Sequence, residues 1–438
     1  MEEGKIVMSR EECKRVRVME SVMVGRITLS AATEFLGVCY RQAKRIKCKY
    51  QELGIAGIVH GNRGRKPSNA LDRKTCDKVV GLYQRTYFDS NDTHYTELLL
   101  ERESIHIGRE SVRKLLRGAG IKPKRKGRSP RHHSRRPRKD QCGIMALWDG
   151  SPHHWFGTDA PPCCLMASVD DATGKLLGAL FVHAESSAGY LRLLDMMLRD
   201  HGAPICIYHD RHSSLVRCDD YWSLEEQLRG TRYPTHVGLV LQQIGITAIP
   251  ANSPQAKGRV ERRFGVLQDR MIVELRLSGI KNMNEANHWL KDIFIKRYND
   301  RFSVRALKNG LAFRQLSKTD IYNLVAFNYE AMVGNDNCVR LGGLIIDIPP
   351  GDRSRSFAKL NVVVKQHLDG AWTVWHKDLI VAKHAPTDFI EPVRQWKRRP
   401  TNSKHYLKAT KEMTQTYIAS KPLGPSRGHF PLAIRGTY

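Results

Sequence analysis

The stretch Ile144-Met145-Ala146-Leu147-Trp148-Asp149 is a short apolar run that closes on an acid. A run of this length reads as a buried strand. Outward from it the pattern repeats. Cys163 to Val169 is a second strand, Asp170-Asp171-Ala172-Thr173-Gly174 a turn, and Lys175 to Val182 a third strand, which makes a hairpin. Asp170 and Asp171 read as turn chemistry without catalysis, and Asp171→Asn is expected to be tolerated. Ala188 to His201 is a helix with Leu191, Leu194, Met197 and Leu198 inward. Ile205 to Tyr208 is a fourth strand ending at His209-Asp210, Val237 to Ile244 a helix, and Ile246 to Ile249 a fifth strand. Ser253 caps a long helix with Pro254 at its first position and Val260, Phe264, Leu267, Met271 and Leu275 as its stripe. The order βββαβαβα predicts a mixed sheet with helices on its faces.

Before this region the pattern is helical. Val16, Met19 and Met23 share a face, and Gly25 breaks the helix. Thr28 caps a short helix with Ala32 and Phe35 inward. After Gly37-Val38, Tyr40 to Tyr50 turns Ala43, Ile46 and Tyr50 to one side and Arg41, Lys44, Arg45 and Lys49 to the other. A short helix, a turn and a basic second helix make a helix-turn-helix, whose basic helix suits the major groove. The same residues would also serve a basic three-helix bundle without sequence readout. A second unit follows, with helices at Asp72 to Tyr87 and Thr96 to Arg102 and a turn at Ile105 to Gly108. Its last helix, Arg109 to Arg117, presents Arg109, Arg113 and Lys114 outward, with Val112, Leu115 and Leu116 inward.

Lys122 to Lys139 is basic and broken by Pro123, Pro130 and Pro137, which predicts an extended linker. Asn284 to Asn309 is helical, and Val339 to Val381 returns to short strands that fit a small β-barrel. The expected organisation is a first helix-turn-helix over 1–60, a second over 61–120, and a linker over 121–141. An α/β core over 142–280, a helical connection over 281–330, a small β-barrel over 331–395 and a basic tail over 396–438 complete it. The 438 residues hold 72 Lys+Arg against 44 Asp+Glu, a net charge of +28. This excess favours a polyanion, most simply nucleic acid. Ten cysteines without a C-x-x-C pair read as reduced thiols. No apolar run is long enough for a membrane span, and the acidic start Glu2-Glu3 lacks the pattern of a secretory signal.

Three acids stand where phosphoryl chemistry would use them. Asp149 and Asp210 close strands, and Glu261 lies two turns into the long helix. Converging carboxylates repel unless a cation neutralises them, so they suit Mg²⁺ or Mn²⁺. Two such ions, about 3.5–4 Å apart, would assist an in-line displacement. Singly, each acid is also ordinary: Asp is common at strand ends and Glu on helix surfaces.

The segments Asp149-Gly150-Ser151-Pro152-His153-His154-Trp155-Phe156, Tyr208-His209-Asp210-Arg211-His212 and Ser253-Pro254-Gln255-Ala256-Lys257-Gly258-Arg259-Val260-Glu261 together give a specific pattern. The last resembles the third-acid motif of the retroviral-type integrase core. The whole chain resembles a bacterial insertion-sequence transposase with an integrase-type (DDE) core, similar to the ISNCY group. The resemblance implies a ribonuclease-H-like core with Asp149, Asp210 and Glu261 as catalytic, metal-binding triad. It implies binding of terminal inverted repeats, metal-dependent 3′-end cleavage and strand transfer into target DNA. The implied partners are double-stranded DNA, from element ends and target, and further copies of the chain, with no small-molecule substrate. The implied location is cytoplasmic, on the nucleoid. Lys257 and Arg259 read as phosphate contacts, Lys257 also as a pairing partner of Glu261, and His209 and His212 as neighbours of the second acid. Glu274 would be the next candidate for the third acid. The interval 211 to 260 between the last two acids is wider than the family's commonest spacing, and Cys218 to Tyr233 reads as an insertion. A sequence-specific regulator, or an inactive transposase copy, would use the same helix-turn-helix units with a silent core.

Overall fold

The computed structural model describes residues 8–60, 62–63, 70–124, 137–217, 220, 222–251, 258–351, 355–389 and 391–393; for 258–261 only the helical backbone is described. Two compact units result, one of Met1–Phe88 with Leu98–Lys122, the other of Asp89–Glu97 with Pro123–Tyr438.

In the first unit, α1 (Arg10–Met23) starts on a capping box between Ser9 and Glu12. Its buried face is Val16, Met19 and Val22; Met23, expected inward, is exposed. α2 (Leu29–Leu36) is capped by Thr28 and ends at Gly37, whose left-handed φ of 62° lets the chain turn sharply into α3 (Tyr40–Leu53). Ala32, Ala43 and Ile46 are buried, whereas Phe35 is exposed. Ala32 is the fully buried residue of α2, and Leu29 and Leu36 pack beside it, half-buried, against the same cluster.

Glu12 does more than cap. Its carboxylate accepts from the Ser9 N–H at 2.8 Å, from the His60 N–H at 3.3 Å and from the Arg63 guanidinium, tying His60 and Arg63 back to the first helix. The Ser9 backbone bond first, then the Ser9 hydroxyl, His60 and Arg63, hold its pKa at about 2, below its ordinary 4.5. A lowered acid stabilises above its unfolded pKa and loses that contribution as pH falls through the folded one. Thermal melts of this unit should therefore weaken between about pH 4.5 and about pH 2, and Glu12→Gln should flatten that dependence.

α4 (Arg73–Arg85) is capped by Asp72. α5 (Asp92–Glu103) is divided between the units after Glu97, and α6 (Arg109–Gly118) buries Val112 and Leu116. Leu115, expected inward, is only half-buried.

The second unit is built on a five-stranded sheet. β1 (Met145–His153), β2 (Cys163–Asp170) and β3 (Leu176–Val182) form an antiparallel meander, and β4 (Cys206–His209) and β5 (Thr247–Pro250) add in parallel. The order is β3-β2-β1-β4-β5, a mixed sheet as the periodicity predicts. α7 (Ser187–Asp200) and α9 (His236–Ile244) cover one face; α10 (Gly258–Leu277), α11 (Met283–Trp289) and α12 (Ile295–Phe302) cover the other. Between β4 and α9, in the stretch read as an insertion, lies α8 (Leu224–Arg229). The buried Glu226 accepts from the Ser223 and Tyr233 N–H groups at 2.7 Å and pairs with Arg217.

Beyond the sheet lie α13 (Lys318–Leu324), β6 (Ala326–Met332), β7 (Cys338–Leu341), β8 (Leu344–Asp347), β9 (Asn361–His367), β10 (Trp372–His376) and β11 (Leu379–His384). Instead of the closed barrel expected, the described strands form an open sheet, β11-β10-β9-β6, and a separate β7-β8 ribbon. The open sheet needs no closure to bury its inner face: Phe327, Tyr329, Val364 and Trp372 join one apolar cluster with α7 and α9.

The β2–β3 turn differs from the expected surface turn. Asp170 and Asp171 are 1% and 2% exposed. Asp170 accepts from the Gly143 N–H at 2.9 Å, the Thr173 N–H at 2.7 Å and the Thr173 hydroxyl at 2.6 Å, and Asp171 accepts from the Lys139 N–H at 2.9 Å. The turn holds the chain entering β1. Asp170→Ala would leave buried donors unpaired, at a cost of about 1–3 kcal/mol, and should lower the denaturation midpoint of the full chain. Asp171→Asn keeps one acceptor, but at a buried position rather than an exposed one.

Candidate active site

Asp149 does not end its strand. β1 runs on to His153 against β2, with Asp149 opposite Ala167. What ends nearby is the parallel ladder with β4, which pairs Met145 with Cys206, Ala146 with Ile207 and Leu147 with Tyr208. Asp149 and Asp210 each lie two residues past the last pair of that ladder. Both acids are half-buried. The His212 N–H donates to Asp210 Oδ1 at 3.1 Å, so the turn after β4 fixes one oxygen of the second acid.

Around them lies a group that the periodicity did not mark. Tyr190, fully buried on α7, stacks on Trp148 with ring centroids 5.5 Å apart, and its hydroxyl donates to Glu185. Burial first, then the charges of Glu185, Asp210 and Asp149, push its pKa upward, so the phenol stays protonated. Glu185 lies between β3 and α7, three residues past Val182, and its Oε1 lies 3.8 Å from His212 Nδ1. Its only local mark is its place immediately before the helix cap Ser186. Neighbouring Cys163 and Cys164 are buried, and desolvation pushes them up to about 11 and about 12. Neither is a thiolate near neutrality, which leaves no nucleophile at this pair.

Glu261 belongs to α10 by its backbone; its side chain, that of Arg259 and the whole of Lys257 lie outside the described residues. Position 261 is two turns before Gln268 on one helix face, and Gln268 donates to Ser151 of β1 at 2.9 Å. The next residues, Arg262 and Arg263, line a cavity of about 240 Å³ with Asp170, Asp171 and Gly174, beside the β2–β3 turn. Asp149 and Asp210 thus each follow the last β1–β4 pair by two residues and both act on the buried Tyr190, while α10 reaches β1 through Gln268. Among the described residues, no three His, Cys, Asp or Glu side chains are grouped to hold a metal ion. Glu274 is occupied: buried, it meets His94 Nε2 at 3.2 Å and Arg297 at 3.5 Å. Nearby, Arg276 pairs with Asp89 at 2.6 Å, and Arg270 and Arg301 both pair with Glu97.

Of the expected DNA contacts, Arg41, Lys44, Arg45 and Lys49 line the exposed side of α3, and Arg109 and Lys114 are exposed on α6. Arg113 is exposed but held by Glu110, with Nε to Oε2 at 2.9 Å. The basic linker at 125–136 lies outside the described residues.

Residues 14–67 match a helix-turn-helix domain family. The chain is 35% identical over 314 residues to "Putative transposase y4bF" of Sinorhizobium fredii, covering 72% of this chain and 67% of that one. It is 30% identical over 325 residues to the transposase for insertion sequence IS1202 of Streptococcus pneumoniae, covering 66% and 68%. Among solved structures it is similar to the HTLV-2 integrase catalytic core domain in complex with magnesium. The identity there is 16%, the TM-score 0.24, and the match covers 34% of this chain and 86% of that one. It is also similar to the simian T-cell lymphotropic virus intasome in complex with PP2A regulatory subunit B56 gamma, at 13% identity and a TM-score of 0.28 over 70% and 100%. With two transposases matched over about two thirds of their length, the chain belongs to the transposases of bacterial insertion sequences.

Proposed function

We propose that this transposase cleaves the 3′ ends of its element and joins them to target DNA at one ribonuclease-H-like site made by Asp149, Asp210 and Glu261. The observation that supports this reading is the parallel β1–β4 ladder, whose last pair, Leu147 with Tyr208, stands two residues before Asp149 and Asp210. A protein that only bound DNA would have no use for that juxtaposition, which weighs against a pure regulator. The donors are carboxylate oxygens, which fit Mg²⁺ or Mn²⁺, and Asp149, Asp210 and Glu261 would hold the ions. Bound there, two ions would lower the pKa of the attacking water or hydroxyl and offset charge on the leaving oxygen.

In end cleavage, a water oxygen bonds to phosphorus, the bond from phosphorus to the 3′ oxygen breaks, and that oxygen takes a proton. In joining, the freed 3′-hydroxyl attacks a target phosphodiester and releases a target 3′-hydroxyl. The two steps differ only in nucleophile, so one set of acids serves both. The α3 face and α6 would hold element ends, and Lys257 and Arg259 would track phosphates near the site. Two ends joined together call for two or more copies of the chain. Its place of action would be the nucleoid, in the cytoplasm.

The test is nicking by the purified full chain, with Mg²⁺ or Mn²⁺, of DNA bearing the inverted repeats that flank its coding region. Nicks at the repeat ends that vanish with chelator are expected. Absence of any cleavage with either metal would overturn the reading.

A further inference from the structure

We infer that Glu185 is a positioning residue of the active site, holding the turn after β4 against β1 so that Asp210 stays level with Asp149. The inference rests on the catalytic reading above and adds to it a residue outside the three acids.

Glu185 meets residues beside both acids. Its Oε1 accepts from the Tyr190 hydroxyl, and Tyr190 stacks on Trp148, the residue before Asp149. Its Oε2 lies against Gly150, the residue after Asp149, where even a methyl group would meet it at 2.6 Å. Its Oε1 also faces His212 Nδ1 at 3.8 Å, and the His212 ring lies 6.3 Å from the Tyr190 ring. His212 in turn gives its backbone N–H to Asp210 at 3.1 Å. The path from β1 to the second acid therefore runs Trp148, Tyr190, Glu185, His212, Asp210.

The parallel ladder leaves a place for such a brace. Its last paired residues are Leu147 and Tyr208, two short of the acids, so the ladder between β1 and β4 ends before it reaches Asp210. Side chains beyond the ladder include Tyr190 of α7 and Glu185 of the β3–α7 junction, which are in contact with β1 and with each other. The absence of a side chain at Gly150 follows from the same packing, because the carboxylate of Glu185 occupies that space.

Partners that orient metal-binding groups typically change metal affinity or activity by about 10–100-fold when removed. The test compares Glu185→Ala, Glu185→Gln and Tyr190→Phe in the full chain. Mn²⁺ binding is read by electron paramagnetic resonance, and end cleavage is read against Mg²⁺ concentration. Glu185→Ala should weaken Mn²⁺ binding about 10-fold or more and shift the Mg²⁺ requirement upward. Glu185→Gln, which keeps the shape and an acceptor for Tyr190, should recover most of that loss. Tyr190→Phe removes one hydroxyl and keeps the stacking, so it remains informative if Glu185→Ala does not fold; it should show a smaller shift in the same direction.

Normal Mn²⁺ binding in a folded Glu185→Ala variant, or in Tyr190→Phe if that alone folds, would overturn the inference. A Glu185→Gln variant as impaired as Glu185→Ala would overturn it in another way, because the charge itself would then be needed at the metal. Parent protein that neither binds Mn²⁺ nor cleaves would instead sink the catalytic reading, which separates the two failures.

Discussion

Asp149→Asn and Asp210→Asn are each expected to abolish end cleavage and strand transfer while leaving binding of the element's ends nearly unchanged. Each swap keeps the size of the side chain and removes one negative charge. A carboxylate cage for divalent cations depends on that charge, so metal affinity and activation of the nucleophile fall together. The loss should exceed the roughly 10–100-fold that follows removal of an outer partner. Both acids are half-buried, lie beyond the parallel ladder and carry no part of the apolar clusters, so folding should persist. Glu261→Gln should behave in the same way, and its retention of full activity would remove it from the triad. Glu274 is then a poor substitute, since it is engaged with His94 and Arg297. The check is a gel assay of nicked and joined products beside a binding assay on the same DNA. Normal cleavage by Asp149→Asn would remove the first acid from the mechanism.

The second large effect concerns recognition. Lys44→Ala with Arg45→Ala should weaken binding to the element's ends and reduce its salt dependence. The slope of log K against log salt should fall by about 0.9 for every phosphate that the protein no longer neutralises. Where one of the two side chains pairs bidentately with a base, its removal should cost about 1–3 kcal/mol of discrimination. Both side chains are exposed on α3, opposite the buried Ala43 and Ile46, so their removal should not disturb the unit's core. Arg113→Ala should matter less, because that guanidinium is already held by Glu110. Titrations of the full chain at several salt concentrations, on end DNA and on random DNA, decide it. Unchanged affinity and slope in the double variant would place recognition elsewhere.

The glutamates divide by environment in a way that residue type alone does not reveal. Glu12 and Glu226 each close a capping box and accept further backbone N–H bonds from distant residues, which holds both near pKa 2. They are structural acids, and capping explains them from sequence spacing: Ser9 to Glu12 and Ser223 to Glu226 are both three residues apart. Glu185 and Glu274 have no such local signature. Their partners lie on other elements, so their roles emerge only when those elements pack.

The sequence by itself determined the elements and the family. Alternation and helical spacing follow from local geometry, and they foretold the mixed sheet, the capped α2, the basic face of α3 and the acids at the β4 end and on α10. Tertiary structure alone decided what sits beside what. β1 continues through Asp149 because β2 pairs with it far beyond the reach of β4. Asp170 and Asp171 are buried because the chain entering β1 folds over their turn and donates to them. The C-terminal strands stay open because the apolar face of their sheet is covered by α7 and α9 rather than by closure on itself. Glu185 Oε2 occupies the space beside Gly150 of a different strand, next to Asp149, where a side chain would otherwise stand. Periodicity records which side of an element faces inward, whereas the partner on that side is set by packing between elements far apart in the chain, which no local spacing encodes.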